Sequence, residues 1–398
     1  MNAIKGKSFR DFSTGPVPVA PYVSAAYFEL EKEHIFRNIW QFVAREQEFK
    51  KPGDFIVQEF EIFNASVLII KGKDGKIRAF HNVCSHRGVK LVLESHGNTA
   101  NFMCHYHGWG YALDGKLRAV PDAESFEGLD RSSCGLTPIH LGIFEGFIFI
   151  NFAAQPSQTL IDFLGPIANR MTGHPYEDFD SSIVIETEVD VNWKLLLDNF
   201  QETYHLSFVH HLSLADKSTG RLNPFGKPIS CELFDPHRYM EIWGNREHLP
   251  APGEAIAAKY GGVLSQGATQ QKDEHKSARS PDWAQDTYAI FPNLIIDVSP
   301  GLFFTQQFIP RSVGRTLMIN RLYLPEAKTP GQRFSQEYTI SFLRDTVSED
   351  ARLLRTQQQS LLSGAKTEIF FSAQEAMCRH SLQQIENYIH KSALEPTH

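Results

Sequence analysis

The chain has 398 residues, a formal net charge of −7, a pI of about 6.2 and five cysteines. That length suits two domains, and with no Lys/Arg-rich run the electrostatic footprint of a nucleic-acid binder is missing. No stretch reaches the roughly 18 apolar residues of a membrane span. The opening MNAIKGKSFRDFSTGP lacks the apolar run of about 7–15 residues of a secretory signal, so the sequence reads as that of a cytoplasmic protein with neither nucleic acid nor membrane as partner.

In chain order, Tyr27–Trp40 alternates apolar and charged residues at helical spacing. A strand-rich region follows, with DFIVQEF from Asp54, ASVLIIKG from Ala65, KIRAFHNV from Lys76 and GFIFINF ending at Phe152. Asp74-Gly75 and Asp114-Gly115 lie between apolar runs, which predicts hairpins. After Pro156 helical patterns enter: Asn192–His205, Phe334–Leu362 and Ser372–Ile389. Between them Asn293–Pro310 and Arg315–Pro325 read as strands of a second sheet, and Ser265–Asp282 as a polar surface loop that would suit a lid. The expected division is an N-terminal helical segment (1–40) packing on the last domain, a small antiparallel β domain (41–155) and a mixed domain (156–398), an α+β chain.

Cys84, Cys104, Cys134, Cys231 and Cys378 are too sparse for a disulfide framework, so reduced thiols that bind metal explain those in a pattern. The pattern is C-S-H (Cys84, His86) and, 17 residues on, C-H-Y-H (Cys104, His107). Two loops that each offer one thiolate and one imidazole suit a [2Fe–2S] cluster with two sulfur and two nitrogen ligands. Zinc is the alternative, but zinc fingers pair like with like, as C-x2-C and H-x3-5-H. His105, between the ligands, reads as a bystander and His81 as a strand residue. C-x-H and C-x2-H, followed by HRG and HGW, resemble the Rieske domain of ring-hydroxylating oxygenases. The respiratory Rieske proteins carry an extra cysteine beside each pair, and here there is none.

Asp198–His211 (DNFQETYHLSFVHH) holds a second constellation. Glu202 and His205 share a helix face. His205 and His210 are five apart, so the helix must end or open for both to reach one ion. Two imidazoles and one carboxylate with open positions form the facial arrangement of O2-activating Fe(II) enzymes. The stretch resembles the iron motif of the same oxygenases, an N-x-x-acid-x-Y-H-x4-H pattern met by Asn199, Glu202, Tyr204, His205 and His210; His211 breaks that spacing. The resemblance places the third iron ligand at the E-D pair of the long helix, at Asp350, with Glu349 and Asp345 as alternatives. Successive helical residues diverge by about 100°, so one of Glu349 and Asp350 should face the iron. It also gives Glu202 the role of linking His205 to His107 of another chain, although the family often has Asp there, preceded by Gly, where this chain has Gln201-Glu202.

The family resemblance implies a terminal oxygenase with a small antiparallel Rieske domain and a larger catalytic domain whose antiparallel sheet is flanked by helices in a helix-grip arrangement. It implies a [2Fe–2S] cluster, a mononuclear Fe(II), a separate NAD(P)H-dependent reductase with or without a ferredoxin, O2 as co-substrate, and a homotrimer that in some members adds a β subunit. The chain has no GxGxxG fingerprint and no C-x4-C-x2-C spacing of its own. The expected substrate is a small hydrophobic molecule, an aromatic first. The alternatives are a methylated amine or ether for a monooxygenase and, as a non-enzyme, a Rieske electron carrier.

Overall fold

A computed structural model describes residues 7–8, 15–261 and 280–394, so most of the expected loop Ser265–Asp282 lies outside the described residues. The chain divides into two compact units, Phe36–Phe163 and the described residues on either side of it.

The smaller unit is built on a seven-stranded antiparallel sheet. Its strands run in the order Gln41–Arg45, Phe147–Asn151, Pro138–Phe144, Ile77–His81, Ala65–Lys71, Asp54–Phe60, His96–Asn98. Ala65–Lys71 is a nearly continuous apolar run because it is central and covered on both faces. Leu68 and Ile70 enter a core with Phe80, Cys84, Cys104 and Trp109, while Val67 and Ile69 enter a second with Val43, Ile148 and Ile150. Both expected hairpins form: Asp74-Gly75 joins Ala65–Lys71 to Ile77–His81, and Asp114-Gly115 joins Gly110–Tyr111 to Leu117–Ala119.

In the larger unit an antiparallel sheet contains β1 (Ser181–Val189), β2 (Ser230–Leu233), β3 (Arg238–Trp243), β4 (Trp283–Ile290), β5 (Leu294–Ser299), β6 (Leu302–Ser312) and β7 (Arg315–Leu324). Their order is β2-β3-β4-β5-β6-β7-β1, with Lys7–Ser8 paired to the outer edge of β2. The opposite edge, β1, alternates exposed and covered residues, whereas β5 is covered throughout. The stretch expected to be strand at Asn293–Pro310 is thus the β5–β6 hairpin. Strands β1 to β4 carry no comparable apolar run and were not anticipated.

The helices that matter for function are α1 (Trp193–Phe200), α2 (Leu206–Val209), α3 (Pro330–Leu362) and α4 (Ala376–Leu394). Asn192 caps α1, its side chain accepting from the Lys194 N–H at 3.0 Å, and Thr329 caps α3 through the Gln332 N–H. The expected helix Asn192–His205 stops at Phe200. Beyond it the Glu202 carboxylate takes the N–H groups of Tyr204 and His205, so a side chain replaces the carbonyls a continuing helix would offer. Tyr27–Trp40 is α-helical only from Ala25 to Glu31 and then widens into a π-helical turn, Lys32–Phe36. Glu31 reaches into the larger unit's core, its Oε1 lying 2.5 Å from Lys194 Nζ and its Oε2 accepting from Trp193 Nε1. Among the described residues no helix is long and apolar enough to cross a membrane.

Candidate metal centres

The two cysteine–histidine loops of the smaller unit close in the same way. The Gly88 N–H donates to the Cys84 carbonyl and the Gly108 N–H to the Cys104 carbonyl, each at 2.9 Å. The Cys84 N–H donates to the Val89 carbonyl and the Cys104 N–H to the Trp109 carbonyl. Both glycines have positive φ (+73° and +72°), so each tight loop needs a residue without a Cβ at that place. The loops bring the His86 and His107 rings to a centroid distance of 4.6 Å, and His86 stacks on Trp109. Cys84 and Cys104 are buried, and both histidine Nδ1 atoms are buried without a hydrogen-bond partner. Buried nitrogens without partners beside buried thiols are what a mixed sulfur–imidazole cluster would satisfy, and the four residues fit it. Tyr111 adds a hydroxyl 3.3 Å from Cys84 Sγ; burial foremost, then Cys84, push its phenol pKa up and keep it protonated. His105 is exposed and His81 lies on a strand, neither in the loops' facing atoms.

In the larger unit the break after α1 places His205 and His210 at the two ends of the single-turn α2. His205 Nε2 and His210 Nε2 lie 3.2 Å apart. Asp350 Oδ1, from the middle of α3, lies 3.1 Å from His210 Nε2 and 3.7 Å from His205 Nε2. These three are the described His, Cys, Asp or Glu side chains that cluster closely enough to hold one ion. Each imidazole is turned by an acid on its far nitrogen: Glu202 pairs with His205 Nδ1, and Glu349 Oε2 lies 2.7 Å from His210 Nδ1. Ser213 donates to the same Glu349 oxygen at 2.7 Å. Asp350 Oδ1 is buried with no hydrogen bond, and burial would lower the His205 pKa, yet Glu202 and Asp350 raise it. Two Nε2 atoms and a bare carboxylate oxygen aimed at one point, under a field favouring positive charge, fit a divalent cation.

The remaining candidates separate. Asp345 is exposed and pairs with Arg344, and His211 is exposed, so neither joins the cluster. Asn199 lies beside it, its Nδ2 buried without a partner. Tyr204 is 43% exposed and packs against Phe208 and Phe225. Sequence reasoning missed the role of Glu349, which it weighed only as an alternative third ligand; no sequence signal marks it as the partner of His210 Nδ1.

A cavity of about 140 Å3 opens beside the three converging side chains. Helical residues Phe200, Phe342 and Val347 form one wall and the sheet forms another, with Phe304 and Gln306, two apart on β6, on the same face. A second cavity, of about 390 Å3, reaches His205 and Glu202 from the side of Leu353, Phe371 and Glu375.

The family model for the Rieske [2Fe-2S] domain matches residues 39–134, and that for the ring hydroxylating alpha subunit (catalytic domain) matches residues 174–391. The chain belongs to the ring hydroxylating alpha subunit family: it carries a Rieske [2Fe–2S] domain and the catalytic domain that binds mononuclear iron. It is 34% identical over 218 residues to the carnitine monooxygenase oxygenase subunit of Acinetobacter baumannii. That match covers 53% of this chain and 57% of that protein, so the chain spans little more than half the length of this relative. Its fold is similar to that of a quaternary ammonium Rieske monooxygenase (TM-score 0.75, 23% identity, 95% and 97% of the two chains covered). It is equally similar to naphthalene 1,2-dioxygenase from Rhodococcus sp. (TM-score 0.75, 22% identity, 96% and 95% covered). The α+β architecture expected from the sequence is the one found.

Proposed function

We propose that this chain is the terminal oxygenase of a multicomponent system that inserts oxygen from O2 into a small organic molecule. The observation that carries this reading is the convergence of His205 Nε2, His210 Nε2 and Asp350 Oδ1 at the wall of a ring-sized, largely apolar cavity. Cys84, His86, Cys104 and His107 would hold the cluster, and His205, His210 and Asp350 the single iron. When bound, the cluster supplies one-electron transfer and the iron supplies activation of O2.

The chain's own residues have distinct tasks in this reading. Glu202 and Glu349 fix the two imidazoles with Nε2 toward the metal position, so the ligand set is preorganised. Three ligands from one side leave the cavity side open for O2 and substrate. Phe200, Phe304 and Phe342 exclude water and hold the substrate's apolar part. Glu202, already on His205, is the residue we assign to the electron path from His107 of another chain, which requires a homo-oligomer, a trimer in our reading. Electrons enter from a separate NAD(P)H-dependent reductase, directly or through a ferredoxin, and the reduced thiol ligands suit the cytoplasm.

Two substrate classes follow from two observations. The phenylalanine-lined cavity favours a hydrophobic, aromatic substrate. The similarity to a carnitine monooxygenase subunit favours oxidative attack on a methylated amine. The test is O2 uptake by the reconstituted protein with a surrogate reductase, screened over aromatics and methylated amines. Substrate-dependent uptake that yields an oxygenated product supports the reading, and uptake with neither class contradicts it.

A further inference from the structure

The register of the sheet fixes a row of side chains across the cavity wall. Met240 pairs with Thr287, Thr287 with Asp297, and Asp297 with Phe304, on four adjacent strands, and all four line the cavity. Asp297 is the member that a purely hydrophobic substrate does not explain. It is 4% exposed, and carboxylates are seldom so buried without a paired charge. Its Oδ1 accepts from Gln285 Nε2 at 2.7 Å and from Thr287 Oγ1 at 2.5 Å. Gln285 is itself turned for this task, because its Oε1 accepts from Ser299 Oγ at 3.2 Å.

The second oxygen is different. Among the described residues Asp297 Oδ2 takes part in no hydrogen bond or ion pair. Nor is it among the occluded polar atoms that lack a partner, so it opens onto the cavity that Asp297 lines. Among the described residues no lysine or arginine lines that cavity. Burial pushes the Asp297 carboxyl up to about 7, against the hydrogen bonds from Thr287 and Gln285, so its charged form lacks a partner.

Resting on the oxygenase reading above, we propose that Asp297 selects a substrate bearing a protonated amine with at least one N–H. The N–H docks on Oδ2, and the rest of the molecule lies along Phe304 toward His205, His210 and Asp350. A neutral hydrocarbon would leave Oδ2 dehydrated and unpaired. A fully alkylated ammonium brings charge but no donor, and among the described residues the cavity's benzenoid lining is phenylalanine, without the tryptophan or tyrosine that would best hold such a cation. Asp297 is thus a specificity-determining residue that touches the end of the substrate remote from the metal ligands' own helices.

The test is calorimetric binding at pH 8, where the carboxyl is ionised, to the metal-loaded protein and to Asp297→Asn. The probes are benzylamine, its isostere ethylbenzene, and benzyltrimethylammonium, which carries charge without an N–H; toluene and tert-butylbenzene, run alongside, report the effect of bulk alone. The wild type should bind benzylamine at least about tenfold more tightly than either other probe, and Asp297→Asn should lose about tenfold or more for benzylamine alone. The asparagine keeps an acceptor for Thr287 and Gln285, and its iron content and melting temperature report whether the fold is intact. The wild-type order of the three probes decides the matter even if the variant fails to fold. A wild type that prefers either other probe, or binds none, overturns the proposal, as does an intact Asp297→Asn with unchanged benzylamine affinity. O2 uptake by the same wild-type preparation separates the two readings: benzylamine held through Asp297 with no uptake for any substrate retires the oxygenase reading and leaves the amine site standing.

Discussion

Glu349 Oε2 lies 2.7 Å from His210 Nδ1, while the next residue, Asp350, brings Oδ1 to 3.1 Å from Nε2 of the same imidazole. Two adjacent positions on one helix therefore grip a single ring from opposite edges. Glu349→Gln should keep the fold and all three ligands yet weaken iron binding by roughly 10–100-fold, because the imidazole loses its orienting acid. Iron retained per chain after dialysis against a chelator checks this, and retention equal to the wild type would contradict it.

His205→Ala should keep the visible absorption of the [2Fe–2S] cluster and abolish oxygenation, since its side chain belongs to the larger unit's cluster alone. Loss of the red-brown colour would instead refute the division of ligands. Glu202→Gln should keep the cluster and, like Glu349→Gln, hold iron more weakly; with iron supplied to saturation it should still turn over poorly, measured as cluster reoxidation after single reduction. Near-normal rates would remove Glu202 from the electron path.

Tyr111→Phe removes the hydroxyl that lies 3.3 Å from Cys84 Sγ. A hydrogen bond to that sulfur disperses negative charge and favours the reduced cluster. Its loss should lower the reduction potential by on the order of 60 mV, the one-electron equivalent of about 1.4 kcal/mol. Redox titration of the visible spectrum is the check, and a rise in potential would reverse the assignment of donor and acceptor.

The metal chemistry was the most legible part of this sequence, because ligand types and their spacing survive without knowledge of the fold. Cys84, His86, Cys104 and His107 lie on loops whose glycines fix them locally, so the motif carries its own geometry. Asp350 could be chosen only through the family resemblance, since nothing in a helix of polar and apolar residues says which acid faces inward. Strands β2 and β3 were not legible because CELFDPHRYMEIW interleaves buried Arg238 with apolar residues, which blurs the period of two. Asp297 was missed for a related reason. A polar residue within NLIIDVS reads as one solvent-facing step of a strand, whereas here it faces a cavity that only the assembled sheet and helices enclose.

Lys194 Nζ and Glu31 Oε1 form an ion pair at 2.5 Å with both side chains essentially unexposed. Burial pushes the Glu31 pKa up and the Lys194 pKa down, and each group's attraction to the other opposes that shift. Lys194→Ala should destabilise the protein by about 3–5 kcal/mol by stranding Glu31, and Lys194→Met with Glu31→Gln should recover much of that. Denaturant unfolding of the single and double variants is the measurement; equal losses would show that the charge pairing is immaterial.

Asp198 is buried, and its carboxyl pKa is pushed up to about 7 by burial, against hydrogen bonds from Tyr22 and Gln201. Its unfolded value is about 3.9. The native state therefore binds the extra proton between these values, so this residue's contribution is full below about pH 4 and lost as pH rises through about 7. Asp198→Asn should remove that part of the slope of stability against pH. Melting temperatures at pH 5 and pH 8 check it, and an unchanged difference between them would show that Asp198 is ionised throughout.

Two unlike iron centres in one chain are tested most directly by metal analysis. After anaerobic reconstitution the wild type should contain about three irons and about two acid-labile sulfides per chain, and Asp350→Ala about two irons with the sulfide unchanged. Zinc in place of iron, absence of sulfide, or an Asp350→Ala variant that retains the third iron would contradict it.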